Sequence, residues 1–140
     1  MRLFDQLDPL GLLILRLVLG IIMIAHGYSK VFGGFHQHAA FVSHLGMPWW
    51  MAFFSTGAEF GGGILLIAGL LTRFAALAIC IEMIVVIDKV HWKNGLLAEH
   101  GYEFQLALAA MAFALIFLGP GAISLDALRS GGRGAARKKV

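Results

Sequence analysis

Three ionisable side chains lie deep inside apolar stretches of this chain: Arg16, Glu59 and Glu82. Nearer the ends of those stretches stand His26, Lys30, Asp88, Lys89, His91 and Glu103. An ionised group in hydrocarbon costs at least ~2.5–3.5 kcal/mol on insertion scales, so such groups turn inward and pair. One guanidinium cannot neutralise two carboxylates. The surplus carboxyl holds a proton or takes another partner, and a carboxyl near its neutral state is suited to proton transfer. A plainer reading stands beside this one: Arg16 with one glutamate is a buried ion pair that fixes how the helices dock. His26 and Lys30 are four residues apart and share a helix face. Histidine as a residue type is neutral or charged near physiological pH, and His26, beside Lys30 at a helix end, is the strongest relay candidate among the six. The short His36-Gln37-His38 pattern is too weak to predict a metal site, and none is predicted.

The elements that hold these groups follow from composition. The chain has 140 residues, 59% hydrophobic and 14% charged, with a mean hydropathy of +0.82. Soluble domains carry roughly a quarter charged residues. So few charges cannot coat a soluble surface, which makes the bilayer this protein's first partner. The length allows one domain. Apolar segments near 10–31, 49–71, 74–92 and 102–118 predict an all-α integral membrane protein, a bundle of four transmembrane helices. Pro9 suits a first helical turn. Gly119-Pro120-Gly121 ends the last segment, so the bundle domain spans 1–128 and a basic tail spans 129–140.

Charge placement sets the orientation. Arg2, Arg73 and the tail's Arg129, Arg133, Arg137, Lys138 and Lys139 share one side of an even-spanning chain, so both termini are predicted to be cytoplasmic. Trp49, Trp50, Trp92 and all six histidines then fall at the outer side. A basic tail beside a hydrophobic helix is read as a topology and lipid signal, with no nucleic-acid partner expected. Cys80, the single cysteine, permits no intramolecular disulfide or thiolate metal site and reads as a small apolar residue. Gly57, Gly61, Gly62 and Gly63 flank Glu59; small residues four apart let helix backbones approach closely in lipid, and the same closeness admits a flat ligand. Packing is the expected role. Gly-rich faces also allow a homo-oligomer.

Taken in order, several short motifs resemble the DoxX family of small four-helix membrane proteins. They are Arg16-x3-Gly20, His26-Gly27-x2-Lys30, Glu59 with Gly61-Gly62, and Gly69-Leu70-Leu71-Thr72-Arg73. Gly101-Tyr102-Glu103 and Gly119-Pro120-Gly121-x2-Ser124-Leu125-Asp126 complete the series, from about Leu10 to Asp126. The resemblance implies a multi-pass protein of the bacterial inner membrane, with relatives that include the small subunit of a thiosulfate:quinone oxidoreductase. Its polar positions fall on Arg16, His26, Lys30, Glu59 and Glu103. No dithiol, haem motif or flavin motif accompanies them, so electrons must come from a partner oxidoreductase or a substrate.

Two readings of function follow. In the first, the chain is a membrane subunit of a redox or stress-related system and binds a quinone-like ligand in a polar pocket. Glu59, His26 and Glu103 then carry protons, while Arg16, Lys30, Glu82, Tyr102 and His91 bind the ligand or pair charges. In the second, the chain is a non-catalytic scaffold whose buried charges fix the fold and whose loops or tail recruit a partner. A proton-coupled carrier is a weaker third, since no broken helix or inverted repeat supports it.

Overall fold

Pro9 stands in the first turn of α1 (Asp8–Ser29), where its missing N–H interrupts no helical hydrogen bond. The computed structural model describes residues 6–137, with side chains to residue 131; every regular element among them is helical. Beyond α1 the chain kinks at Phe32 (φ −103°, ψ 49°) and Gly33 (φ 123°). It resumes as α2 (Phe35–His44), a ten-residue helix within the stretch expected to be a loop. Helix α3 (Met51–Ala68) contains a wide π-helical turn at Gly57–Gly61. It stops at Gly69, whose φ of 66° is left-handed, and the Leu70 N–H closes the stop on the Leu65 carbonyl (3.0 Å). Helix α4 (Thr72–Val86) runs on through a second π-helical turn, Ile87–His91. Helix α5 (Glu103–Leu118) and the helix α6 (Leu125–Arg137) complete the chain.

Neighbouring helices close a ring: α1 packs on α3, α3 on α4, α4 on α5, and α5 returns to α1. Backbone proximity sets the α1–α3 seam. A Cβ on Gly20 would lie 2.8 Å from the Gly63 carbonyl oxygen, and one on Gly27 would lie 2.7 Å from the Phe60 nitrogen. Lipid offers helices no hydrophobic reason to associate, so this close contact supplies the attraction instead. Leu19, Met23, Leu66, Ile79, Met83 and Leu115 fill the interior.

The outer surface is apolar, with Ile14, Ile21, Phe74, Ile84, Phe113 and Phe117 all exposed. Two helical stretches are long and apolar enough to cross a membrane, Asp8–His44 and Met51–Ala68. Only 28% and 33% of their apolar windows are buried, unlike the core helix of a soluble protein. Trp49, Trp50 and Trp92 are exposed as expected of interfacial rings. Of the basic residues used for orientation, Arg2, Lys138 and Lys139 lie outside the described residues, and Arg133 and Arg137 outside the described side chains.

Candidate functional site

Two polar networks form at opposite ends of the ring. The first gathers where the three helix irregularities meet. Lys30 follows α1 directly, Glu59 sits in the π-helical turn of α3, and Lys30 Nζ donates to Glu59 Oε2 at 2.5 Å. A helical side chain leans toward the N-terminus of its own helix, so Lys30 reaches down into the ring rather than out of it. Across from this pair, Ser55 Oγ donates to Glu82 Oε1 (2.6 Å), and His38 Nε2 lies 3.1 Å from the same Ser55 oxygen. The Ser55 proton is committed to Glu82, so His38 is the donor in that contact. A continuous path His38–Ser55–Glu82 therefore runs from α2 to α4. Glu82 is only 9% exposed; among the described residues no N–H or hydroxyl meets its buried second oxygen, Oε2, and its carboxyl lies within hydrogen-bonding reach of Glu59.

These groups wall a chamber of about 330 Å³, completed by Met23, His26, His91, Phe104 and Gln105. Its size falls in the range of small-molecule sites. His26 Nδ1 lies 2.9 Å from the Ile22 carbonyl, which only accepts, so Nδ1 carries the proton and Nε2 is the acceptor. His91 Nδ1 likewise donates to the His100 carbonyl (2.7 Å), and Gln105 Nε2 donates to His91 Nε2 (3.2 Å). That fixes the Gln105 amide with Oε1 buried and unpartnered. Lys30, Glu59, Glu82, His26 and Gln105 thus present charge, proton acceptors and free lone pairs to one small volume. A second, larger cavity of about 530 Å³ shares His38, Ser55 and Glu82 with the chamber and is otherwise mainly apolar.

Arg16 belongs to the other end. It is fourteen residues before Lys30, about 21 Å along the helix axis, and its side chain leans toward the N-terminus of α1, to the α3–α4 turn. Its Nη2 donates to the Ile123 carbonyl. Neither Glu59 nor Glu82 is its partner, in contrast to the expected ion pair. The guanidinium fills the space beside Gly69, where a Cβ would sit 1.7 Å from Nη1. Around it, Asp126 accepts the amide hydrogens of Leu71 (2.9 Å) and Thr72 (3.0 Å), and the Asp126 N–H donates to the Gly69 carbonyl (2.9 Å). Leu71 is left-handed (φ 49°), a costly conformation for a leucine, and these bonds hold it. Ser124 caps α6 by accepting the Ala127 N–H (3.1 Å). Burial pushes the Asp126 carboxyl up, but the Thr72 and Leu71 amides, with Arg129 nearby, hold it below the usual carboxylate range. This end is a clamp between the α3–α4 turn and the start of α6.

Among the residues singled out in the sequence, His26, Lys30, Glu59, Glu82 and His91 share the chamber, and Arg16 does not. Tyr102 stacks on Trp92 (5.6 Å, 17°) outside it. Glu103 is exposed in the first turn of α5 and lines neither cavity. Two polar chamber residues had no place in the sequence reading, Ser55 and Gln105, and His38 stood there only in the weak His36-Gln37-His38 metal pattern. Ser55 carries a signal in hindsight, one helical turn before Glu59 within an apolar segment. Gln105 is likewise polar at the mouth of an apolar helix. The small residues also divide: Gly63 packs on Gly20, but a Cβ at Gly57 or Gly61 would meet nothing within 4 Å. Those two glycines line the larger cavity instead of a helix contact.

The chain is 32% identical over 106 residues to "Putative oxidoreductase CatD" of Bacillus subtilis (strain 168), covering 76% of this chain and 78% of that protein. It is 28% identical over 125 residues to "Inner membrane protein YqjF" of Escherichia coli (strain K12), covering 88% and 95%. No solved structure matches significantly. The DoxX family model matches residues 11–92, a span that holds Lys30, Glu59, Glu82 and most of the chamber. The chain belongs to the DoxX family.

Proposed function

We propose that this protein is a four-span subunit of a redox system in the bacterial inner membrane, with cytoplasmic termini, and that its chamber binds a quinone-like ligand. The single observation carrying this reading is Glu82. Its Oε2, beside Glu59 and met by no N–H or hydroxyl among the described residues, is buried in a wall shared by a polar chamber and an apolar cavity. A buried oxygen that no donor meets is costly, and a ligand hydroxyl or carbonyl, meeting the acid or its anion, removes that cost. The printed names of the two relatives, an oxidoreductase and an inner-membrane protein, support the same setting.

Reducing a quinone to its quinol takes two electrons and two protons. The electrons come from a partner oxidoreductase. The chain's own residues manage the protons. Glu82 stands at the end of the His38–Ser55 path, and a hydroxyl between two titratable groups passes a proton by donating one and accepting the next. His26, with Nε2 free, offers a second acceptor on the opposite wall. Lys30 brings a positive charge that Glu59 holds in place, so the charge can face the negative charge that builds on the ligand as electrons arrive ahead of protons. Glu103 is too exposed to share this role.

The test is ligand content. Protein extracted in mild detergent is analysed by mass spectrometry for quinones, lipids and metals, alongside Glu82→Gln and His26→Ala. A stoichiometric quinone in the wild type that disappears from stably folded variants supports the reading. An empty wild type, with variants changed only in thermal stability, refutes it and leaves the buried charges as a scaffold.

A further inference from the structure

The larger cavity runs between α3 and α4 and is walled by Phe54, Gly57, Gly61, Leu65, Phe74 and Ala78 among others. Two observations set it apart from a packing defect. Gly57 and Gly61 leave open space where Gly20, Gly27 and Gly63 make close backbone contact, so absent side chains keep the groove open. The π-helical turn lies over the same residues, Gly57–Gly61, and such turns recur where a helix serves a site rather than its own regularity. Independently, no N–H or hydroxyl among the described residues meets the buried Oε2 of Glu82, and Glu82 lines both cavities together with His38, Phe41, Ser55, Val86 and Val90. The groove and the chamber are therefore two compartments of one cleft, apolar on one side and charged on the other. At the groove rim Phe54 and Phe74 are 70% and 69% exposed on the face that lipid covers.

We propose that the ligand of this protein is a single-tailed amphiphile: its polar ring lies in the chamber and its hydrocarbon tail lies along Gly57 and Gly61 in the groove. The inference rests on the ligand-pocket reading above and adds the class of ligand and its route. A tail threaded between α3 and α4 leads sideways into the bilayer, so the ligand exchanges with the membrane interior and need not cross water. The groove's occupant is thus the tail of the bound molecule, and neither a bulk phospholipid chain nor a second copy of this protein.

The test uses the full chain in lipid nanodiscs with three probes. One is a benzoquinone bearing a ten-carbon tail with a photoreactive diazirine at its end; the second is the same ring without a tail; the third is a phosphatidylcholine with the diazirine in an acyl chain. Illumination of the first probe is expected to label groove residues such as Leu65 or Ala78. Gly57→Leu and Gly61→Leu each lower that labelling at least tenfold and leave binding of the tail-free ring within about twofold. Glu82→Gln weakens both quinones. Thermal midpoints confirm that each variant is folded, as open space at both glycines predicts. Tail labelling scattered over lipid-facing Ile14 or Phe113 overturns the proposal while tail-free binding keeps the chamber. Groove labelling by the phospholipid as strong as by the quinone, or a copy-to-copy crosslink there, also overturns it. Failure of both quinones to bind sinks the chamber reading itself, and this proposal with it.

Discussion

Replacing Lys30 by methionine leaves the Glu59 carboxylate, 6% exposed, without its cation. Breaking a buried pair from one side costs roughly 3–5 kcal/mol, and Lys30 is itself 22% exposed, so the lower end applies. Lys30→Met is expected to cost about 3 kcal/mol. Glu59→Gln is milder, at about 1–2 kcal/mol, because the amide oxygen still accepts from Nζ and the ammonium keeps some contact with its surroundings. The double variant removes both charges and is expected within about 1 kcal/mol of wild type. The cycle then yields a coupling of about 3–5 kcal/mol, at or above the upper end for residues in direct contact. The assay is reversible unfolding in mild detergent by titration with dodecyl sulfate, read by the fluorescence of Trp49, Trp50 and Trp92. Additive effects, or a double variant no better than Lys30→Met, refute the pairing. The same double variant separates a site from a scaffold: stability returns, but quinone content does not if the charges serve the ligand.

Two further outcomes probe the clamp and the seam. Asp126 is held below the ordinary carboxylate range in the folded protein, so its contribution is fully present above the unfolded value and fades as pH falls through the folded one. Asp126→Asn is therefore expected to cost about 1–2 kcal/mol at neutral pH, discounted for the partial exposure of the group. Its thermal midpoint converges on that of wild type in acid; a gap constant down the pH scale contradicts this. Gly20→Ala forces a Cβ to within 2.8 Å of the Gly63 carbonyl and is expected to cost about 1–3 kcal/mol. Gly11→Ala, in the same helix with nothing within 4 Å, is neutral or slightly stabilising, and equal midpoints for the two variants refute the seam.

Hydropathy and burial cost made the helices and the ionisable chamber residues Lys30, Glu59, Glu82 and His26 legible. An ionisable group in an apolar segment is expensive wherever it points, so Lys30, Glu59, Glu82 and His26 stand out without any geometry. Partnership was not legible in the same way. Counting helical rise places Arg16 and the two glutamates at comparable depth, but depth measured at Cα ignores the lean of side chains toward the N-terminus. That lean carries Arg16 toward the α3–α4 turn and Lys30 toward Glu59, which exchanges the expected partner. Ser55 and Gln105 carry no charge, and an uncharged polar residue in a helix is too ordinary to single out. Gly57 and Gly61 show the limit of spacing arguments: the pattern of close packing is the same as the pattern of an open groove, and only the neighbouring helix decides between them.

The division into two ends explains why one short chain carries so many unusual residues. A cleft between α3 and α4 separates helices that have little else to hold them, since lipid supplies no hydrophobic drive for their association. The cost of opening it at Gly57 and Gly61 has to be offset elsewhere along the same two helices. The offset lies at their shared turn, where Gly69 admits Arg16 and Asp126 ties down Leu71 and Thr72. It also lies along α1, where Gly20 and Gly27 let the backbone of α3 approach. The ionisable chamber groups Lys30, Glu59, Glu82, His26 and His91 fall within 11–92, the span that matches the family, whereas α5 contributes Phe104, Gln105 and Leu108, none of which is ionisable. The ionisable groups are thus concentrated in the helices that the clamp and seam join, and α5 completes the wall with one amide and two apolar side chains.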